Sequence, residues 1–101
     1  MTEKKVKVCL TGNETTKEEL AKRLALDADM QEIRADFLGE SELNEAFWEM
    51  AASRRENLVF SCRTASRGGK FDGSKKTLAD YYNKAAEAGV AYIDIEHDLV
   101  A

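Results

Sequence analysis

The chain has 101 residues, 44% hydrophobic and 34% charged, a mixture that suits one small domain with one core and excludes wholesale disorder. Its net charge of −4 argues against nucleic-acid binding and against docking on an anionic membrane, and no apolar run approaches the ~20 residues of a membrane span. The opening "MTEKKVKV" is charged and lacks the apolar stretch of a secretion signal, and the two cysteines, Cys9 and Cys62, make no disulfide framework; the expectation is a cytoplasmic protein with reduced thiols.

In chain order, a β-rich run from Lys5 to Leu10 ends at Thr11-Gly12. "TTKEELAKRLAL" predicts a helix, capped by Thr15 or Thr16 with Glu18 or Glu19 three residues on, and with Leu20, Leu24 and Leu26 as its apolar stripe. "MQEIRADF" is the second strand. Ser41 is expected to cap a second helix reaching about Arg54, with Leu43, Ala46, Phe47 and Met50 on one side. "NLVFSCR" is the third strand, "KKTLADYYNKAAEAG" a third helix closed by Gly89, and "AYIDIEHDL" the fourth strand. No proline, low-complexity tract or linker interrupts the chain, so residues 1–101 read as a single domain.

Strand and helix in strict alternation is the pattern of parallel βαβ units with right-handed crossovers. Two α/β architectures fit: an open doubly wound sheet, or a sector of a (β/α) barrel. The strand faces separate them, because side chains alternate along a strand. Val6, Val8, Leu10, Ile33, Ala35, Leu58, Phe60, Cys62, Ile93 and Ile95 fall on one face. Lys7, Cys9, Glu32, Arg34, Asp36, Ser61, Arg63, Asp94 and Glu96 fall on the other. A doubly wound sheet is buried on both faces and reads as near-continuous apolar runs. Here all three helices should cover one face, leaving a polar face that either lines a barrel or simply meets water. The charges gather towards the C-terminal strand ends, where barrel active sites lie. That favours a (βα)3β half of a TIM-type (β/α)8 barrel, with Arg34, Arg63 and Glu96 converging on its mouth.

"VKVCLTG", "MQEIRADFL", "LVFSCRTASRGG" and "YIDIEHDL" resemble, in order and spacing, the first four strands of type I 3-dehydroquinate dehydratase. The resemblance runs from about Lys5 to Leu99 and corresponds to the first half of that family's barrel. Glu-X-Arg-X-Asp on one strand with Arg-Thr at the end of the next is its most specific part. The family dehydrates 3-dehydroquinate in the shikimate pathway through a Schiff base on a lysine, with a histidine as general acid and base and no metal or cofactor. The resemblance implies substrate contacts at Glu32, Ile33, Arg34 and Arg63, and a weaker match at Cys9. The chemistry is apt: an arginine fork donates to carboxylate and ketone oxygens, and a carboxylate accepts from hydroxyls.

The chain departs from the family in two places. The family's Glu-Gly-Gly after Arg-Thr becomes Arg67-Gly68-Gly69, and that glutamate orients the family's histidine. The catalytic histidine and lysine belong to later strands, and neither His97 nor Lys70 corresponds to them. The expectation is a fragment or truncated form, carrying part of the substrate site and inactive alone. The alternatives are a stand-alone, non-catalytic half-barrel that binds a small polyhydroxy carboxylate or a protein partner, and a flavodoxin-like domain. The charged strand residues could equally neutralise one another as a structural network. Gly68-Gly69 reads as a flexible loop, with an anion cradle as the alternative. Trp48 should lie on a half-buried helix flank, and Tyr81 and Tyr82 should pack on the core. Cys9 and Cys62 sit on strands ~9.6 Å apart, beyond disulfide reach. Open edges at the first and fourth strands predict a homodimer, opposed only by Lys4, Lys5 and Lys7 and by the His97-Asp98 tail.

Overall fold

In the computed structural model, which describes residues 8–96, one sheet holds four parallel strands in the order β1-β2-β3-β4. They are β1 (Cys9–Leu10), β2 (Met30–Arg34), β3 (Leu58–Ser61) and β4 (Tyr92–Asp94). Helices α1 (Lys17–Leu24), α2 (Glu45–Ser53) and α3 (Lys75–Ala88) fill the three crossovers. A doubly wound sheet reverses its strand order at a switch point. This order never reverses, so the chain forms an α/β sector of a TIM-type barrel rather than a flavodoxin-like sheet.

Alternation along the strands explains the one-sided packing. Ile33 pairs with Phe60, and Leu58 with Gln31, on the helix-facing side; all four are buried. Leu20 and Leu24 of α1, Phe47 and Ala51 of α2, and Leu78, Tyr81, Tyr82 and Ala85 of α3 complete the same core. Phe60 lies at its centre, 5.5 Å from the ring of half-buried Trp48 and 6.4 Å from Tyr82. Gln31 is polar but fully satisfied. Its amide donates to the carbonyls of Leu24 and Leu26, and its oxygen accepts from Arg23.

Helix boundaries follow local hydrogen bonding. Thr16 caps α1 by accepting from the Glu19 N–H, while the Glu19 carboxylate accepts in return from the Thr15 N–H. Leu26 lies past the end of α1 and is exposed, so the stripe consists of Leu20 and Leu24 alone. The second helix starts later than expected. A 3-10 turn occupies Glu40–Glu42, and Asn44, not Ser41, is the cap, accepting from the Phe47 N–H at 3.1 Å. On this helix Ala46 is exposed, while Phe47 and Ala51, four residues apart, face the core. Ser74 caps α3, and Gly89 ends it at φ +82°, a conformation that favours glycine.

β2 also ends early. Ala35–Phe37 form a 3-10 turn, which takes Asp36 off the strand and buries it at the C-terminal end of the sheet. Lys4, Lys5, Val6, Lys7, His97 and Asp98 lie outside the described residues. Removing the Phe60 ring should cost about 3–5 kcal/mol, because a large cavity in a close-packed core relaxes only partly. Urea unfolding of Phe60→Ala measures it, with exposed Ala46→Ser expected within about 0.5 kcal/mol of the parent.

Candidate functional site at the strand tips

The face opposite the helices carries Glu32, Arg34, Val59, Ser61, Tyr92 and Asp94, with Arg34, Ser61 and Asp94 in register across three strands. Glu32 joins β2 to both neighbours. Its Oε1 accepts from Thr11 Oγ1 at 2.8 Å and its Oε2 from Ser61 Oγ at 2.7 Å. Ile33, between Glu32 and Arg34, points the other way and is wholly buried in the core. Its side chain spaces the two polar residues onto one face, and its carbonyl accepts from Ser61 Oγ at 3.4 Å.

The two arginines differ in their surroundings. Arg34 makes a two-pronged pair with Asp36: Nε donates to Oδ1 at 2.9 Å and Nη2 to Oδ2 at 2.7 Å. Its guanidinium also lies 4.5 Å from the centre of the Phe37 ring. Asp36 Oδ2 further accepts from the backbone N–H of Lys70 at 3.0 Å. Burial pushes the Asp36 carboxyl up, but the Arg34 guanidinium and the N–H groups of Lys70 and Arg63 outweigh it and hold the group below its ordinary value. Arg63, by contrast, has 48% of its side chain exposed and, among the described residues, makes only a loose pair with Asp94, Nη2 to Oδ2 3.9 Å.

The backbone beneath Arg63 is tightly held. Its carbonyl accepts from the Phe71 N–H at 3.1 Å, and the Phe71 carbonyl accepts from the Ala65 N–H at 3.0 Å. Thr64 donates through both N–H and Oγ1 to the Glu96 carboxylate at 2.9–3.1 Å. The Gly68-Gly69 segment is a closed turn. Gly68 N–H donates to the Ala65 carbonyl and Gly69 N–H to the Thr64 carbonyl, so neither cradles an anion. Gly68 has φ +83°, and a Cβ on Gly69 would come within 2.1 Å of the Arg63 carbonyl oxygen. Two glycines are therefore needed for the turn to close under Arg63.

A cavity of about 190 Å³ opens here, lined by Cys62, Arg63, Arg67, Asp94 and Glu96. A larger hollow of about 510 Å³ lies between α2 and α3 beside Trp48, but it is far from these pairs in the fold and is lined mainly by helix-surface residues. Both cysteines are unpaired, Cys9 exposed and Cys62 buried. Burial, then the Asp36 and Glu96 charges, push the Cys62 thiol up to about 12, so it stays protonated and unreactive near neutral pH. Burial followed by the Glu32 charge raises Cys9 too.

Sequence reasoning put Glu32, Arg34 and Arg63 on one face, but it placed Asp36 on the strand and missed the Thr64–Glu96 tie. Only the Arg-X-Asp spacing hinted at the first. It also missed Arg23, which binds Glu14 at 2.6 Å and the carbonyls of Leu10 and Glu32, stapling α1 to β1 and β2.

The lowered Asp36 pKa sets an acid limit. Its contribution is complete above the ordinary carboxylate value of about 3.9 and is lost as pH falls through the lower folded value. Urea midpoints of the parent and Asp36→Asn should differ at about pH 6 and converge towards about pH 2.

The model of the type I 3-dehydroquinase family matches residues 6–101. The chain is 34% identical to the 3-dehydroquinate dehydratase of Desulfotalea psychrophila over 92 residues, 89% of this chain and 39% of that protein. It is 37% identical to the 3-dehydroquinate dehydratase of Dehalococcoides mccartyi over 71 residues, 69% of this chain and 29% of that protein. It is 32% identical over 98 residues to the pentafunctional AROM polypeptide of Zygosaccharomyces rouxii, 91% of this chain and 6% of that protein. The chain thus spans less than half the length of the relatives it matches. A one-sided parallel sheet with Glu32 and Arg34 on its polar face, Arg63 just past the end of β3, and a family match over nearly the whole chain lead to one conclusion: this chain belongs to the type I 3-dehydroquinase family.

Proposed function

We propose that this chain, folding as one domain, supplies the substrate-holding part of a 3-dehydroquinate dehydratase site and lacks the lysine and histidine that do the family's chemistry. Arg63 carries the reading: its guanidinium is half exposed at the barrel mouth on a backbone tied to both neighbouring strand ends. A carboxylate or ketone oxygen of 3-dehydroquinate would take charge-assisted hydrogen bonds from it. Arg34 offers Nη1, which has no hydrogen-bond partner among the described residues, and Glu32 accepts from a substrate hydroxyl. Ile33 acts as the spacer between them. The dehydration of 3-dehydroquinate, a step of the shikimate pathway, would need the Schiff-base lysine and the histidine from further strands. Lys70 stands on the glycine turn, without the desolvated setting that such a nucleophile requires. No helix of the described residues is long and apolar enough to cross a membrane. The setting we propose is the cytoplasm, with a small molecule rather than nucleic acid as the ligand. The purified chain should bind 3-dehydroquinate or shikimate in calorimetry, with Arg63→Ala or Arg34→Ala weakening binding by about 1.5–3 kcal/mol. It should give no turnover and no borohydride-trapped adduct. Unchanged affinity in both variants, or trapping on any lysine, refutes the reading.

We also infer a homodimer through the open edges. Three large apolar side chains lie exposed on or beside the outer strands: Val8 (54%), Tyr92 (65%) and Ile95 (39%). Edge strands offer unpaired backbone groups, and a second copy can pair them in a two-fold assembly. Sedimentation equilibrium across a concentration series should give a mass rising to two chains. A constant one-chain mass removes the dimer.

A further inference from the structure

We propose that Asp36 is the positioning residue of this site: it holds Arg34 in a fixed fork and hangs the third loop so that Arg63, rather than Arg34, presents a full guanidinium to the ligand. This rests on the reading that Arg63 meets substrate. Asp36 is buried and leaves the strand at the 3-10 turn, so its carboxylate reaches under the β3 tip. One oxygen takes Arg34 Nε; the other takes Arg34 Nη2 and the Lys70 N–H. One side chain therefore fixes the return of the loop, at Lys70. Phe71 N–H and the Arg63 carbonyl close the loop one residue further on. Glu96 completes the suspension from the β4 side by taking both Thr64 donors.

A neutral amide at position 36 keeps one acceptor oxygen but replaces the other with a donor that meets the donors of Arg34 or Lys70. The loop should then lose its anchor while the core, which packs on the other face of the sheet, stays intact. Arrangement, not charge alone, is at stake: the Arg34–Asp36 pair is close to neutral overall, and removing its anion would by itself strengthen anion binding at the mouth.

Hydrogen exchange and calorimetry on the full chain test this, with shikimate as the probe. In Asp36→Asn, the Lys70 amide and the Arg34 Nε–H should exchange at least about 10-fold faster, with the Phe60 amide unchanged. Shikimate affinity should fall about 10-fold or more, to the level of Arg63→Ala, and the double variant should lose no more than either alone. Should Asp36→Asn fail to fold, the parent protein decides: the two protons share one anchor and should show protection factors within about 10-fold of each other. Unchanged loop exchange, additive losses in affinity, tighter binding by Asp36→Asn, or widely scattered protection factors in the parent overturn the proposal. A parent chain that binds no shikimate defeats the substrate reading instead, and the exchange results then judge the role of Asp36 alone.

Discussion

The sheet has one apolar face, and the rest of the structure depends on that. Ile33, Leu58 and Phe60 must leave water, and three helices cover them from a single side. With every crossover on the same side, a right-handed path adds each new strand beyond the last, giving the order β1-β2-β3-β4. The opposite face is then free to carry Glu32, Arg34 and Ser61, which could not sit under a helix layer without pairing. Core and site are thus the two sides of one alternation, and a one-residue slip of register would exchange them.

The polar face is far from a random scatter of charges. Glu32 is held by two hydroxyls from neighbouring strands, and Arg34 by a buried carboxylate. A buried ion pair is not in itself strong evidence of stabilisation, because desolvation offsets much of its attraction. What it does provide is geometry. The Lys70–Asp36 and Thr64–Glu96 bonds join the ends of β2, β3 and β4, so that the tip carrying Arg63 is tied down although its side chain is half exposed. The two arginines differ accordingly: Arg34 is engaged in the network, while Arg63 keeps a half-exposed guanidinium.

Arg67 stands where the resemblance implies a glutamate, and it shares a cavity wall with Arg63, Asp94 and Glu96. The two arginines and two carboxylates balance in formal charge there, whereas a glutamate at that position would leave the mouth acidic. Cys62 in the same wall adds no reactivity, since its buried thiol stays protonated. The lining groups of the mouth are thus two guanidiniums, two carboxylates and a protonated thiol.

Much of this was legible from residue order. The spacing of Ile33 and Phe60 against Glu32 and Arg34 assigned each to its face, because alternation is a local property of extended chain. Gly89 marked the end of α3, because a left-handed residue is a local demand. The family motifs placed Arg34 and Arg63 at strand tips before any contact was known. Contacts between distant segments were not legible. Ser41 and Asn44 are both good caps, and packing of Phe47 and Ala51 on the sheet chose the second. Gly68-Gly69 looked flexible, yet the nearness of Gly69 to the Arg63 carbonyl makes it part of a closed turn. Asp36 looked like one more polar-face residue; only the folded chain brings Lys70, 34 residues away, to its carboxylate. Local pattern was enough to determine faces, helix ends and charge placement. Which charges meet depended on the tertiary fold, because an ion pair or hydrogen bond is decided by ångströms between strands that no spacing along one strand encodes.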